Sequence, residues 1–295
     1  MNRKVSKILI IGHSGFMGKA LYSALKKSES DVEIVGVSTS EIDLTEQTEF
    51  RKMEKIINKG TIVIICSFIK KQVGDNLENL YKNMTMTKNI CDCLKSNENV
   101  VKAIFISSAA LYGEDIENTN INESSPIVTN TYYALAKYCA EKIYGLCLKD
   151  TNSKLLILRP PTVYGPEDSA GGYTPSGFYK KLYNNEKITL WGDGTELRSF
   201  LFIEDFVNIL KSFLYQDYEG IVNIAPEDNH SFLEVLNELK VILDKNVIFY
   251  EKKRTKNKVD HKFDNSLLRS VIGDYQFISL KEGLHKIYLS RQSMN

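Results

Sequence analysis

Histidine is scarce in this chain: His13, His230, His261 and His285 are the only four, and no pair of them stands at metal-ligand spacing. That argues against a zinc centre, and no bound metal is expected. The five cysteines, Cys66, Cys91, Cys93, Cys139 and Cys147, are odd in number and include no C-x-x-C pair. With no secretory leader ahead of them, they read as reduced thiols of a cytoplasmic protein. No apolar run approaches the ~18 to 20 residues of a membrane span, so a soluble chain without a membrane partner is expected. Neither sign of charge prevails: 38 Lys and Arg against 37 Asp and Glu leave a formal +1. Nucleic acid and anionic membranes are therefore not indicated as partners. No internal repeat and no flexible linker is evident.

What is present is an alternation. Short β-rich segments at Ile8–Ile11, Glu33–Val37, Thr61–Ile65, Lys102–Ile106 and Leu155–Leu158 are separated by helical patterns at roughly 16–27, 46–58, 75–95 and 130–148. This order predicts an α/β fold, a doubly wound parallel sheet covered on both faces. Right-handed crossovers then gather the strand C-terminal ends, and with them Gly12, Cys66, Ser108 and the segment after Arg159, around one crevice. Beyond Pro160 the sequence turns irregular and glycine-rich (EDSAGGYTPSG), with short strands and two or three helices expected. At 295 residues and 43% hydrophobic composition the chain can bury two cores. We place a first domain at 1–160, some of whose later elements return from the C-terminal half, and a smaller α/β lobe at 161–295.

Two motifs carry chemistry. In KILIIGHSGFMGKALYSALKK an apolar strand runs into Gly12, Gly15 and Gly18 and then into an amphipathic helix with Ala20, Leu21, Ala24 and Leu25 on one face. Gly12 permits the turn, Gly15 lets backbone approach a pyrophosphate at the positive helix end, and Gly18 allows close helix-on-sheet packing. In TYYALAK, Tyr133 and Lys137 stand one helical turn apart, which puts an ammonium beside a phenol. A nearby cation favours the phenolate, so the pair can pass a proton near neutrality.

The joint pattern resembles the extended short-chain dehydrogenase/reductase family of nucleotide-sugar epimerases, dehydratases and ketoreductases. FISSAALYG at 105–113, LRPPTVYGP at 158–166 and WGDGTELRSFLFIEDF at 191–206 are similar to family segments, as are the later KFDNSLLRSVIG and ISLKEGL. The resemblance covers nearly the whole chain. It implies a Rossmann domain over 1–160 and a substrate-binding lobe over 161–295. It also implies catalytic roles for Ser108, Tyr133 and Lys137. The implied coenzyme contacts are Gly12, Ser14, Gly15, Phe16, Met17, Gly18, Ser38, Thr39, Asp43, Leu44, Cys66, Ser67, Asn83, Ser107, Tyr133, Lys137, Pro160 and Val163. Those for a nucleotide-diphosphate sugar are Ser108, Ala109, Tyr133, Trp191, Arg198 and Arg254, and a homodimer is left open. For several of these a bland role stands beside the functional one. Asp43 could cap a helix beginning near Glu46, and Asn83 and Thr87 could be ordinary polar positions on a helix. Arg198 could be a surface residue near Asp205, and Arg254 could belong to a solvated run of charge.

Departures from the family pattern narrow the reaction. The second strand ends on Ser38, Thr39 and Ser40 where NAD-preferring members carry an acid. Between NADP(H) and NAD(H) this leans to NADP(H). Family dehydratases carry an Asp-Glu pair directly after the serine; Ala109 and Ala110 stand there and supply no acid for elimination. The bifunctional epimerase-reductases of the family place a Cys at the position of Ala110 and a His in the following lobe, and EDSAGGYTPSG has none. Hydride transfer at C4 of the sugar survives. The short passage from the second strand into EIDLTE is similar to reductases that make deoxysugars, so a 4-keto-(6-deoxy)sugar reductase of surface-polysaccharide sugar biosynthesis is expected. A nucleotide-sugar 4-epimerase is the alternative, and a non-catalytic dinucleotide sensor the second.

Overall fold

The structure is a computed structural model that describes residues 5–168, 175–245, 249–255 and 257–293. The chain divides into two compact units, one of Met1–Leu111, Ile127–Arg159 and Leu210–Val222, the other of Tyr112–Pro126, Pro160–Ile209 and Asn223–Asn295.

The first unit is the predicted α/β layer structure. Its chain order is β1 (Lys7–Ile11), α1 (Phe16–Ser28), β2 (Glu33–Val37), α2 (Phe50–Ile56), β3 (Thr61–Ile65), α3 (Leu77–Lys95) and β4 (Val100–Ile106). After an excursion containing β5 (Asn118–Ile121), α4 (Tyr132–Leu148) and β6 (Lys154–Arg159) follow. β1 is parallel to β2 on one side and β3 on the other, and β3–β4 and β4–β6 are parallel as well. The chain thus reverses its winding direction at β1, the switch point at which sheets of this kind bind ligands beyond the strand C-termini. Every residue of β1 and of β3 is buried. Covered on both faces, they read in sequence as unbroken apolar runs. Lys7 and Lys102 enter the sheet charged, and each has partners. Lys7 donates to the Ile56 carbonyl at 2.7 Å; Lys102 donates to those of Phe213 and Gln216 at 2.7 and 2.9 Å. β11 (Gly220–Asn223) closes the edge beside β6, giving the strand order β11-β6-β4-β3-β1-β2.

The second unit holds β7 (Thr162–Tyr164), α5 (Pro175–Tyr183), β8 (Ile188–Trp191), β9 (Leu197–Arg198), β10 (Phe200–Phe202) and the first part of α6 (Ile203–Leu214). It continues through β12 (His230–Ser231), α7 (Phe232–Leu243), β13 (Phe249–Lys252), β14 (His261–Phe263), α8 (Ser266–Ile272) and α9 (Leu280–Gln292). Its strands form two-stranded pairs, β10–β7, β12–β9, β13–β8 and β14–β5, around aromatic side chains that include Tyr164, Phe178, Phe200, Phe202 and Phe232. Among the described residues five helices begin after Pro160, against the expected two or three. The missed signals are capping boxes: Ser231 with Glu234 starts α7, and Ser279 with Glu282 starts α9. Residues 169–174 of the EDSAGGYTPSG segment lie outside the described residues, so its lack of histidine remains a statement about sequence.

Candidate active site

The glycine turn after β1 is built as its spacing implies. Gly12 adopts φ +87° and takes its N–H to the Val37 carbonyl at 2.8 Å. A Cβ on Gly12 would stand 2.7 Å from the Ser67 nitrogen, and one on Gly18 would stand 2.2 Å from the Gly12 oxygen. Gly15 is the N-cap of α1 and supplies no side chain to its first N–H groups. A Cβ at Gly15 would meet only the Gly12 oxygen, at 3.4 Å, so backbone is bare on that side. Ser14 is exposed, and Phe16 and Met17 are half-buried in the first turn of α1. A bare backbone turn at the positive end of a helix fits the pyrophosphate of a dinucleotide.

After β2 the chain carries the expected Ser38, Thr39 and Ser40, and an acid three residues after Ser38 turns back onto it. Glu41 folds back so that its carboxylate accepts the Ser38 N–H at 2.8 Å and also the Ser38 hydroxyl. These bonds hold its carboxyl below the usual range. The signal lay three residues past the expected position and needed the turn to be seen. The Ser38 and Ser40 hydroxyls are 2.8 Å apart, and Thr39 is exposed. His13 packs on the bare face of Gly36, where a Cβ would approach its ring to 2.4 Å. Asp43 caps neither of the helical turns that follow. It accepts from the Thr45 N–H at 2.9 Å and the Thr45 hydroxyl at 2.7 Å, closing a local turn. Leu44 is core, and its carbonyl accepts from Asn89 at 2.9 Å.

After β3, Cys66 and Ser67 follow directly. Burial pushes the Cys66 thiol up to about 12. Asn83 on α3 clamps the backbone just beyond, accepting from the Ile69 N–H at 2.8 Å and donating to its carbonyl at 3.2 Å. Thr87 donates to the Asn83 carbonyl at 2.8 Å. The Asn83 amide thus shapes the chain that leaves β3, while the Thr87 hydroxyl bonds back within α3.

The catalytic candidates stand on β4 and α4. Ser108 follows the strand, and its hydroxyl accepts from the Ala110 N–H at 3.1 Å; Ala109 opens the short helical turn behind it. Two acceptors fix the start of α4: Thr131 takes the Ala134 N–H at 3.1 Å, and Asp75 takes the Tyr133 N–H at 2.9 Å. The Tyr133 ring meets Phe68 edge-on at 5.9 Å. Lys137 is 4% exposed and donates to the Ile106 carbonyl at 2.6 Å. Its ammonium lies 4.0 Å from the Phe68 ring centre, 4.7 Å from that of Phe105 and 6.0 Å from that of Tyr133. Burial brings Lys137 down to about 7. The Lys137 cation therefore lies against the Phe68 and Phe105 rings, with Tyr133 one turn before it on α4. Sequence reading missed the layer below. Ser107 donates to Glu141, and Arg159 donates to both Glu141 oxygens at 2.9 and 2.6 Å.

Pro160, Val163, Trp191, Arg198 and Arg254 belong to the second unit. Val163 pairs with Leu201 in the β7–β10 ladder. Trp191 ends β8 with the Lys252 ammonium 4.2 Å above its ring. Arg198 does not pair with Asp205, which is taken by the Tyr275 hydroxyl and the Ile278 N–H. Its guanidinium donates to the Leu197 and Val259 carbonyls at 2.9 and 2.5 Å and lies 3.6 Å from Glu196. Arg254 lies across Gly192, bonded to Asp193 at 2.8 Å and to Glu196. Its bonds hold the Asp193 carboxyl down at about 2. Glu196 thus touches both guanidinium groups. Among the described residues no group of His, Cys, Asp and Glu could hold a metal, and no helix is long and apolar enough to cross a membrane.

Known proteins are similar to this chain in sequence and fold. GDP-L-fucose synthase of Dictyostelium discoideum is 25% identical over 94% of this chain and 92% of its own length. The dTDP-4-dehydro-6-deoxyglucose reductase of Escherichia coli is 24% identical over 84% of this chain and 85% of its own. The crystal structure of UDP-glucose 4-epimerase from Thermotoga maritima, solved with UDP-glucose, superimposes with a TM-score of 0.86 over 98% of this chain and 100% of that one, at 17% identity. The glycine turn, the sheet and the Ser108, Tyr133 and Lys137 positions all fall inside residues 8–225, which match the model of the NAD dependent epimerase/dehydratase family, and the chain belongs to that family.

Proposed function

We propose that the protein reduces the 4-keto group of a nucleotide-diphosphate-linked 6-deoxysugar at the expense of a nicotinamide coenzyme. The observation that carries this reading is the buried Lys137 ammonium on the turn of α4 behind Tyr133, beside a strand end that offers Ser108 and no acid at Ala109 or Ala110. Bound at the glycine turn, the coenzyme supplies hydride. Ser108 hydrogen-bonds the sugar oxygen, Tyr133 gives that oxygen its proton as the carbonyl becomes an alcohol, and Lys137 stabilises the phenolate left behind. The similarity to a 4-ketoreductase and to GDP-L-fucose synthase supports this reaction class. In the second unit, Arg198 and Arg254 are the donors we assign to the sugar's diphosphate, since a guanidinium fork matches phosphate oxygens. The five free cysteines accord with a cytosolic enzyme.

For the coenzyme the assignment is NAD(H), against the NADP(H) suggested by the strand-end hydroxyls, because the Glu41 carboxylate sits on Ser38. An anion there repels a ribose phosphate and suits a free ribose hydroxyl. The same acid favours a second reading, a 4-epimerase that retains NAD and returns the hydride to the opposite face of the sugar.

Nicotinamide carrying deuterium separates the two. A reductase consumes the coenzyme one for one and places the label at C4 of the product. Redox-neutral interconversion of C4 epimers, with no coenzyme consumed, would replace the reductase by the epimerase.

A further inference from the structure

Glu141 is 3% exposed and Arg159 2%, and they form a two-pronged ion pair inside the first unit. A buried pair of this kind seldom adds net stability, because two charges must leave water. Its position is informative. Glu141 lies one turn after Lys137 on α4, on the same side of the helix, and both residues are buried. Ser107, whose hydroxyl donates to Glu141, immediately precedes Ser108 at the end of β4. Arg159 is the last residue of β6. One carboxylate therefore ties together the strand end that carries the serine, the helix that carries Tyr133 and Lys137, and the adjoining strand end.

The charges around Lys137 explain why that carboxylate is needed. From β4 it receives only the neutral Ile106 carbonyl, and Phe68 and Phe105 present ring faces. From the end of β3 it is faced by Cys66, which is an anion only near about 12, far above where Lys137 titrates, at about 7. On α4 itself stand Tyr133 and Glu141. Of the two acidic groups that act on the charge of Lys137, Cys66 is held as a thiol by burial, whereas Glu141 stands in the two-pronged ion pair with Arg159.

We propose that Glu141, locked by Ser107 and Arg159, is a positioning residue whose carboxylate keeps the Lys137 ammonium charged for the proton transfer at Tyr133. The inference rests on the Tyr133–Lys137 reading given above. Its test needs no substrate: the full-length protein carries isotope-labelled lysine, and NMR follows the Lys137 side chain with pH, its signal identified by its loss in Lys137→Arg. In Glu141→Gln the Lys137 midpoint is expected to fall by about one pH unit, since a favourable charge is lost and Arg159 is left uncompensated. Should Glu141→Gln fail to fold, the paired variant Glu141→Leu with Arg159→Leu removes both charges at little cost in stability, and the midpoint is again expected to fall. A folded variant of either kind whose Lys137 titrates as in the wild type would overturn the proposal, even if it melts earlier, because lost packing alone does not move that midpoint. If the midpoint falls but Lys137→Met turns over normally, the counter-charge role of Glu141 stands and the catalytic reading of Lys137 fails.

Discussion

Glu41 lies back across the end of β2, its carboxylate accepting both the N–H and the hydroxyl of Ser38. With the coenzyme bound as proposed, those are two donors that a ribose phosphate would meet there, and the acid answers them with charge of the wrong sign for phosphate. Glu41→Ala is therefore expected to weaken NADH binding and strengthen NADPH binding, moving the ratio of the two Kd values by about tenfold or more, as one charge-assisted contact is worth ~1.5 to 3 kcal/mol. Titration of coenzyme fluorescence on the apoprotein reads both constants. An unchanged ratio would remove Glu41 from coenzyme selection.

Tyr133→Phe keeps the ring against Phe68 and loses only the hydroxyl. Its kcat is expected to fall ~10²- to 10⁴-fold, the usual contribution of an acid/base group, with coenzyme Kd within about twofold of wild type. A variant that retains more than about a tenth of wild-type kcat in steady-state assays rules out the assignment.

Lys137 gives the protein a definite pH dependence of stability. Its ordinary value is 10.5 and burial lowers it to about 7 in the folded state. Between these values the unfolded chain binds the proton and the folded chain does not, so stability rises with pH through that window. Lys102, lowered by burial to about 8, acts in the same sense from 8 upward. Below about 7 the folded protein carries the Lys137 charge at full desolvation cost. Lys137→Met is accordingly expected to unfold at higher denaturant concentration than wild type at neutral and acidic pH, and to lose part of the alkaline rise, on the order of a few kcal/mol. Urea unfolding across the pH range measures this, and identical slopes would show that Lys137 is hydrated in the folded state.

Gly18→Ala places a methyl 2.2 Å from the Gly12 oxygen, a contact between backbone atoms that no rotamer can relieve. The turn must open. We expect a fall in Tm of several degrees, corresponding to about 1 to 3 kcal/mol, together with loss of coenzyme binding in the same fluorescence titration. Retention of both would mean that α1 can shift without disturbing the turn.

Arg198→Ala is expected to raise KM for the nucleotide sugar by about tenfold or more, as loss of one charge-assisted phosphate contact implies. Its bond to the Val259 carbonyl offers a structural role instead. A KM within about twofold of wild type, with a lowered Tm, would establish that role.

The alternation of apolar runs and amphipathic stretches determined the first unit by itself, since strands buried on both faces admit little but β-branched and aliphatic residues. The predicted bounds of β1, β2 and β3 fall within one residue of the observed ones. The glycine triplet and the Tyr133–Lys137 spacing were legible for a related reason: each is a local geometry, a turn or one helical step, that a short stretch of sequence encodes completely. Tertiary structure alone decided what depends on partners distant in sequence. Glu141 and Arg159 are two unremarkable charged residues until β4, α4 and β6 bring them and Ser107 within hydrogen-bond reach. Glu41 reaches the end of the second strand only because the chain turns back after Ser40. Asn83, assigned by resemblance to the coenzyme side, holds the backbone at Ile69, a bond that sequence alone does not show. A polar side chain takes its role from the donors and acceptors that the fold presents to it, and its neighbours along the chain do not contain that information.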